Sequence, residues 1–127
     1  MRTVLVVDDD EIVLRFCVGI LAGLRSTHIL EAANGNQALD VAAHHDGSIE
    51  LLVSDIMMPG GISGLDLAEH LTTSRTEIKV LLMSGHCVEE FPIKAAWHFL
   101  AKPFRPSDLL GKVEAILAAA SVVDVAS

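Results

Sequence analysis

Basic residues are scarce in this chain. Lys and Arg number 9 against 17 Asp and Glu, a net charge of −8 at pH 7 with histidine neutral. A nucleic acid or an anionic membrane surface is bound by a basic face, so neither is expected as a direct partner, and any DNA-binding output has to lie elsewhere. Long hydrophobic runs are also missing. No stretch approaches the roughly eighteen apolar residues of a membrane span, and the opening Met1-Arg2-Thr3-Val4 is too short before Asp8 to be a signal peptide. A soluble, cytoplasmic protein is expected. The two cysteines, Cys17 in a helical pattern and Cys87 after a strand, have no metal-ligand spacing; a reducing compartment leaves both as thiols that serve as packing residues. Hydrophobic side chains, by contrast, make up 51% of the 127 residues. That suffices for one compact domain around one core, expected over 1–120, with 121–127 as a tail or the start of a linker.

One stretch organises the rest. Leu51-Leu52-Val53-Ser54-Asp55-Ile56-Met57-Met58-Pro59 is a short apolar run that reaches a carboxylate. Leu51 to Val53 read as a strand buried on both faces, and Pro59 forbids further regular pairing, so Asp55 stands where strand meets loop. Three other stretches share that form. Val4-Leu5-Val6-Val7 runs into Asp8-Asp9-Asp10-Glu11, Val80-Leu81-Leu82-Met83 runs into Ser84-Gly85-His86, and Phe99-Leu100-Ala101 delivers Lys102-Pro103.

Between these strands lie helical patterns. Val13, Phe16, Cys17, Ile20, Leu21 and Leu24 form a stripe, with Asp9 or Asp10 near its start where acids suit the helix dipole. His28 to Ala32 reads as a second strand, Asn34-Gly35-Asn36 as a turn, and Gln37 to His44 as a helix. Gly60-Gly61-Ile62-Ser63-Gly64 reads as a loose loop before a helix that stops near Ser74, and Thr76 to Met83 holds the fourth strand. Val88 to Ala96 leaves room for only a short helix shaped by Pro92, and Trp97 to Ala101 is the fifth strand. Pro106-Ser107-Asp108 starts a last helix with Leu109, Leu110, Val113, Ile116 and Leu117 inward, fraying from Ala118.

Strands alternating with helices imply right-handed crossovers and an α/β, doubly wound, five-stranded parallel sheet with helices on both faces. The flavodoxin-like order 2-1-3-4-5 is natural for this count and puts the switch point between the first and third strands. All C-terminal strand ends then lie along one edge, where Asp8, Asp9, Asp55, Ser84 and Lys102 converge.

In this arrangement the chain resembles the receiver domain of two-component response regulators. VLVVDDDE, LLVSDIMMPGGISGLDL, VLLMSG and FLAKPF fall in order, each at an expected strand end, from about Val4 to Leu117. The resemblance implies that Asp55 accepts a phosphoryl group, that Asp8 and Asp9 hold Mg²⁺ with Asp55 and the Met57 carbonyl, and that Lys102 pairs with the phosphate. It further implies Ser84 as the switch hydroxyl, Phe99 as the switch aromatic, Met57 and His86 as residues that tune the phosphoaspartate lifetime, and a cis Lys102–Pro103 bond. The implied partner is a sensor histidine kinase or phosphotransfer protein. Such a domain is a phosphoacceptor, not a turnover enzyme, and is a monomer or weak dimer.

The residue types fit that chemistry independently. Three neighbouring carboxylates do not ionise together without a cation, and a divalent ion relieves them while recruiting phosphate oxygens. Carboxylates, a carbonyl, waters and substrate oxygens suit Mg²⁺. A new phosphoryl dianion offers acceptors to Ser84 and Lys102, and drawing Ser84 inward vacates space for Phe99. Plainer readings stand beside these: acids that only start a helix, Ser84 as a turn hydroxyl, Phe99 as a core aromatic, and His44-His45 as a solvent-facing helix end.

Two departures from the family pattern are visible. The Gly60 to Gly64 loop is longer than usual by a residue, and the span from Ser84 to Lys102 is several residues short, so the output face of typical members does not transfer. The SG pair and the FLAKPF ending are more similar to receivers joined to hybrid histidine kinases, or stand-alone ones, than to the chemotaxis type. A haloacid dehalogenase-type phosphatase wants a second acid two residues beyond the nucleophile, where Met57 stands. A flavin-phosphate site is opposed by the acids after the first strand, at roughly 1 to 4 kcal/mol per close charge pair. A pseudo-receiver that acts without phosphorylation is the remaining alternative.

Overall fold

The computed structural model describes residues 2–86 and 93–126, and the side chains of the last helix as far as residue 119. Its elements are β1 (Arg2–Val7), α1 (Glu11–Leu21), β2 (Thr27–Ala32), α2 (Gly35–His44), β3 (Leu51–Asp55), α3 (Gly64–Ser74), β4 (Lys79–Ser84), β5 (His98–Ala101) and α4 (Pro106–Ala126). The strands form one parallel sheet in the order β2-β1-β3-β4-β5. The fold class and strand order expected from the sequence are those observed.

The strands bury both faces, which is why they read as continuous apolar runs and not as alternating ones. Leu5, Val7, Leu52, Val80 and Leu82 face a core shared with Ala38 and Ala42 of α2 and Leu67, Ala68 and Leu71 of α3. Their neighbours Val4, Val6, Leu51, Val53, Leu81 and Met83 face the other core, with Leu14, Cys17 and Leu21 of α1 and Leu109, Val113, Ile116 and Leu117 of α4. Each strand thus spends alternate side chains on opposite helical layers, and its end emerges between them.

Several local expectations are corrected. In α1 the buried positions are Leu14, Cys17 and Leu21, and Phe16 is 43% exposed. The side chain of Asp10 caps the helix on the amides of Ile12 and Val13, and the phase so set points Ile12 and Phe16 away from the sheet. Asn34 is likewise a helix cap, accepting from the Gln37 amide at 2.8 Å, so the expected turn is the first turn of α2. β4 begins at Lys79, later than Thr76. Helix α4 runs on to Ala126 beyond the expected fraying point, in keeping with the high helix propensity of its Ala118-Ala119-Ala120 run. The short helix expected over Val88 to Ala96 falls largely outside the described residues, as does Cys87; residues 93–97 are not helical. Lys94 there pairs with Glu69 of α3 at 2.8 Å and lies over the Trp97 ring.

Candidate functional site: a carboxylate cluster at the strand ends

Three carboxylates meet at the mouth between β1 and β3. One ligand oxygen from each of Asp8, Asp9 and Asp55 lies within 4.8 Å of the others, the single such grouping of His, Cys, Asp and Glu among the described residues. Asp8 follows β1 directly and is fully buried; its Oδ1 accepts from the Asp10 amide at 2.9 Å, which turns the chain into the capped start of α1. Asp9 is exposed beside it. Asp55 ends β3 and retains 9% exposure.

Lys102, just beyond β5, reaches across the sheet edge. Its Nζ donates to Asp8 Oδ2 at 2.9 Å and lies 3.4 Å from Asp55 Oδ1. Burial pushes the Asp55 carboxyl up to about 6 from 3.8, with Lys102 opposing and Asp8 and Asp9 adding to the rise. Burial alone would lower the Lys102 ammonium, but the hydrogen bond to Asp8 and the charges of Asp55 and Asp8 outweigh it and hold its pKa above the ordinary value. The peptide bond between Lys102 and Pro103 is cis.

Ser84 ends β4, in register with Ala101 and one residue past Met83, which pairs with Asp55. It is 2% exposed; its Oγ accepts from the His86 amide at 3.0 Å and its carbonyl accepts from the Lys102 amide at 2.8 Å. Phe99 is half-buried against the core beneath α2 and α3, in register with Leu82. Met57 is 53% exposed at the mouth, His86 is exposed, and a side chain at Gly85 would meet open space. The structure therefore brings Asp8, Asp9, Asp55 and Lys102 into one cluster, sets Ser84 on the adjacent strand end, and places Phe99 two register steps behind it.

The remaining titratable candidates have ordinary roles. Cys17 is buried and its thiol is pushed up to about 11, by burial first and then by Asp8, which leaves an unreactive packing residue. The His44 ring nitrogen Nδ1 lies 2.7 Å from the Asp40 carbonyl, and the His45 ring stacks on His28 at 6.1 Å.

Two features were not foreseen. The first is Gly64: a Cβ built there would lie 2.1 Å from the Asp55 carbonyl oxygen, so the start of α3 presses on the backbone of Asp55. The Gly64 amide donates to the Ile56 carbonyl at 2.8 Å, and Ser63 and Asp66 form a reciprocal capping box. The loop expected to be loose is thus tied down at its C-terminal end; Ser63 followed three residues on by an acid was the available signal. The second is an apolar hollow of about 400 Å³ lined by Val13, Phe16, Gly85, Lys102, Pro103 and Phe104, with the Phe16 and Phe104 rings 6.1 Å apart.

The donor set fits a hard divalent cation. Three carboxylates against one ammonium give the cluster an excess of negative charge in a partly buried site; burial is the main cause of the raised Asp55 pKa, and Asp8 and Asp9 add to it against Lys102. Oxygen-only ligands at a water-accessible mouth suit Mg²⁺.

The family model described as the response regulator receiver domain matches residues 4–114. The response regulator receiver protein CpdR of Brucella abortus is 30% identical over 128 residues, covering 94% of this chain and all of that protein. The sensor kinase CckA of the same organism is 33% identical over 119 residues, 91% of this chain and 12% of the kinase. Other curated relatives are also much longer, the chain spanning 35% and 52% of two regulators. Among solved structures, the response regulator TrrA of Thermotoga maritima in complex with Mg²⁺ and BeF is 29% identical, covers 91% of this chain and 99% of its own, and superposes with a TM-score of 0.78. The match spans every strand end that carries an acid, the hydroxyl or the lysine, and the chain belongs to the receiver domain family of two-component response regulators.

Proposed function

We propose that this receiver domain accepts a phosphoryl group on Asp55 from a sensor histidine kinase or phosphotransfer protein, in a Mg²⁺-dependent reaction, and that it works in the cytoplasm as a signalling module with no turnover chemistry of its own. The observation that carries this reading is the convergence of Asp8, Asp9 and Asp55 within 4.8 Å, with Lys102 Nζ at 2.9 Å from Asp8 and 3.4 Å from Asp55.

Asp8 and Asp9, with an Asp55 oxygen and the Met57 carbonyl, would hold the metal. When bound, Mg²⁺ neutralises charge on the carboxylates and on the transferring phosphoryl oxygens. The free Asp55 oxygen attacks phosphorus as the bond to the donor breaks, and the product is an acyl phosphate on Asp55. Lys102, already poised at Asp55, pairs with the oxygens as they gain charge. The new dianion then offers an acceptor to the O–H of Ser84, whose oxygen accepts from the His86 amide. Phe99 lies behind Ser84 on the neighbouring strand, on the sheet face beneath α2 and α3, so a shift of β4's end is passed to the β4–β5 surface and reaches the last helix through Leu81 and Met83 on the opposite face. Met57 and His86, both exposed at the mouth, set how readily water reaches the phosphoryl group.

The test is intact-mass spectrometry after incubation with acetyl phosphate, with and without Mg²⁺, on wild type and Asp55→Asn. A gain of one phosphoryl group that needs Mg²⁺ and is lost in the variant is expected. No gain in wild type with Mg²⁺ bound, or a gain in Asp55→Asn, overturns the reading and favours a domain that acts through its surface alone.

A further inference from the structure

The loop that carries the chain from Asp55 to α3 is seated on a second element. A Cβ built on Gly35 would lie 2.4 Å from Cγ1 of Ile62, 3.1 Å from its Cδ1 and 3.0 Å from its carbonyl oxygen. Gly35 is the first residue of α2 and is buried, and its φ is not positive, so its missing side chain is used only to let Ile62 approach. Ile62 packs from this notch onto the core beneath α2 and α3. Ahead of it, Ile56 and Met58 are 1% and 5% exposed, while Met57 between them is 53% exposed. The turn from Pro59 to Gly61 therefore hangs between two anchors, Met58 and Ile62, and bends at Gly60, where φ is 86° and nothing lies within 4 Å of a built Cβ.

Those anchors fix the peptide that follows Asp55. With Gly64 against the Asp55 carbonyl at one end and Ile62 in the Gly35 notch, the backbone around Met57 has little room to drift at the mouth of the carboxylate cluster. We propose that Ile62, seated in the notch at Gly35, is a positioning residue that holds the loop backbone after Asp55 in place for a divalent cation, making the N-terminus of α2 part of the site's support. This inference rests on the reading that the loop supplies the Met57 carbonyl to Mg²⁺. Groups that orient metal ligands without touching the metal commonly change affinity by about 10- to 100-fold when altered.

The experiment is a Mg²⁺ titration by calorimetry on the full chain as wild type, Gly35→Ala, Ile62→Ala and the double variant, with far-UV circular dichroism to establish folding. Gly35→Ala is expected to weaken Mg²⁺ about tenfold, and raising Mg²⁺ in proportion is expected to restore the rate of phosphoryl gain from acetyl phosphate. The double variant, which fills the notch but lacks the Ile62 side chain, should bind Mg²⁺ no better than Ile62→Ala, because the anchor itself is gone. A folded Gly35→Ala with wild-type Mg²⁺ affinity overturns the proposal. If Gly35→Ala does not fold, Ile62→Ala decides: unchanged affinity overturns it, weakened affinity sustains it. A wild type that binds no Mg²⁺ overturns the underlying reading as well, whereas wild-type binding with unaltered variants overturns this inference alone.

Discussion

Replacing Asp55 by Asn should stabilise the metal-free protein while weakening its response to Mg²⁺. The carboxyl is pushed up from 3.8 to about 6 by burial, net of the attraction from Lys102. At ~1.4 kcal/mol for each tenfold change in acidity, holding it ionised in the native state at pH 7.5 costs about 3 kcal/mol relative to the unfolded chain. Its side chain retains 12% exposure at an open mouth, and solvent screening there reduces the figure to about 1 to 2 kcal/mol. The sign follows from proton uptake. As pH falls, the native state binds its proton through about 6 and the unfolded chain only through 3.8, so the native state binds more protons in between. Stability from this group is therefore greatest below 3.8, declines as pH rises to about 6, and stays low above it. The assay is urea unfolding in EDTA at pH 7.5 and at pH 5. Asp55→Asn should exceed wild type by about 1 to 2 kcal/mol at pH 7.5 and by less at pH 5. Mg²⁺ at a hundred times its Kd should then raise wild type by about 2.7 kcal/mol and the variant by much less. A metal-free variant no more stable than wild type at pH 7.5 would refute the claim that keeping the buried Asp55 ionised costs the fold stability.

Other substitutions separate the parts of the site. Lys102→Ala leaves Asp8, fully buried, without its ammonium, and should cost about 3 kcal/mol in EDTA, with part of the loss recovered in Mg²⁺; by mass it should still gain some phosphoryl group. Gly64→Ala forces a Cβ to within 2.1 Å of the Asp55 carbonyl oxygen; because backbone must move, unfolding should show a loss of about 3 kcal/mol or more, with the phosphoryl gain reduced. Asp10→Ala removes the cap of α1 and should cost about 1 kcal/mol with Mg²⁺-dependent phosphoryl gain retained, since Asp10 lies outside the carboxylate cluster.

The sheet and the cluster were legible in the sequence for one reason. In a parallel sheet covered on both faces, every strand is a continuous apolar run, and the first polar residue after each run stands at the same edge. Asp8, Ser84 and Lys102 needed only that rule; Asp55 stands one residue later, after Ser54, which is still buried within the strand. The phase of α1 was harder, because Val13, Leu14, Phe16 and Cys17 are all apolar and periodicity alone does not choose among them. The choice is made by the Asp10 cap and by which residues meet Val113 and Leu117 across the layer, as Leu14, Cys17 and Leu21 do. The exposure of Phe16 follows, and with it the apolar hollow beside Lys102.

Glycine explains the rest of what was not legible. Gly60, Gly61 and Gly64 looked alike as loop residues, yet the structure uses them differently. Gly60 supplies a positive φ in open space, whereas Gly64 supplies contact with the Asp55 backbone. Gly35, which read as part of a turn, supplies contact with Ile62. A close approach depends on which element arrives from elsewhere in the chain, and no local pattern records that. The consequence for function is physical: a carboxylate at a strand end is free to swing unless its following peptide is fixed. Here Gly64 fixes that peptide from α3 and Gly35 fixes the loop from α2.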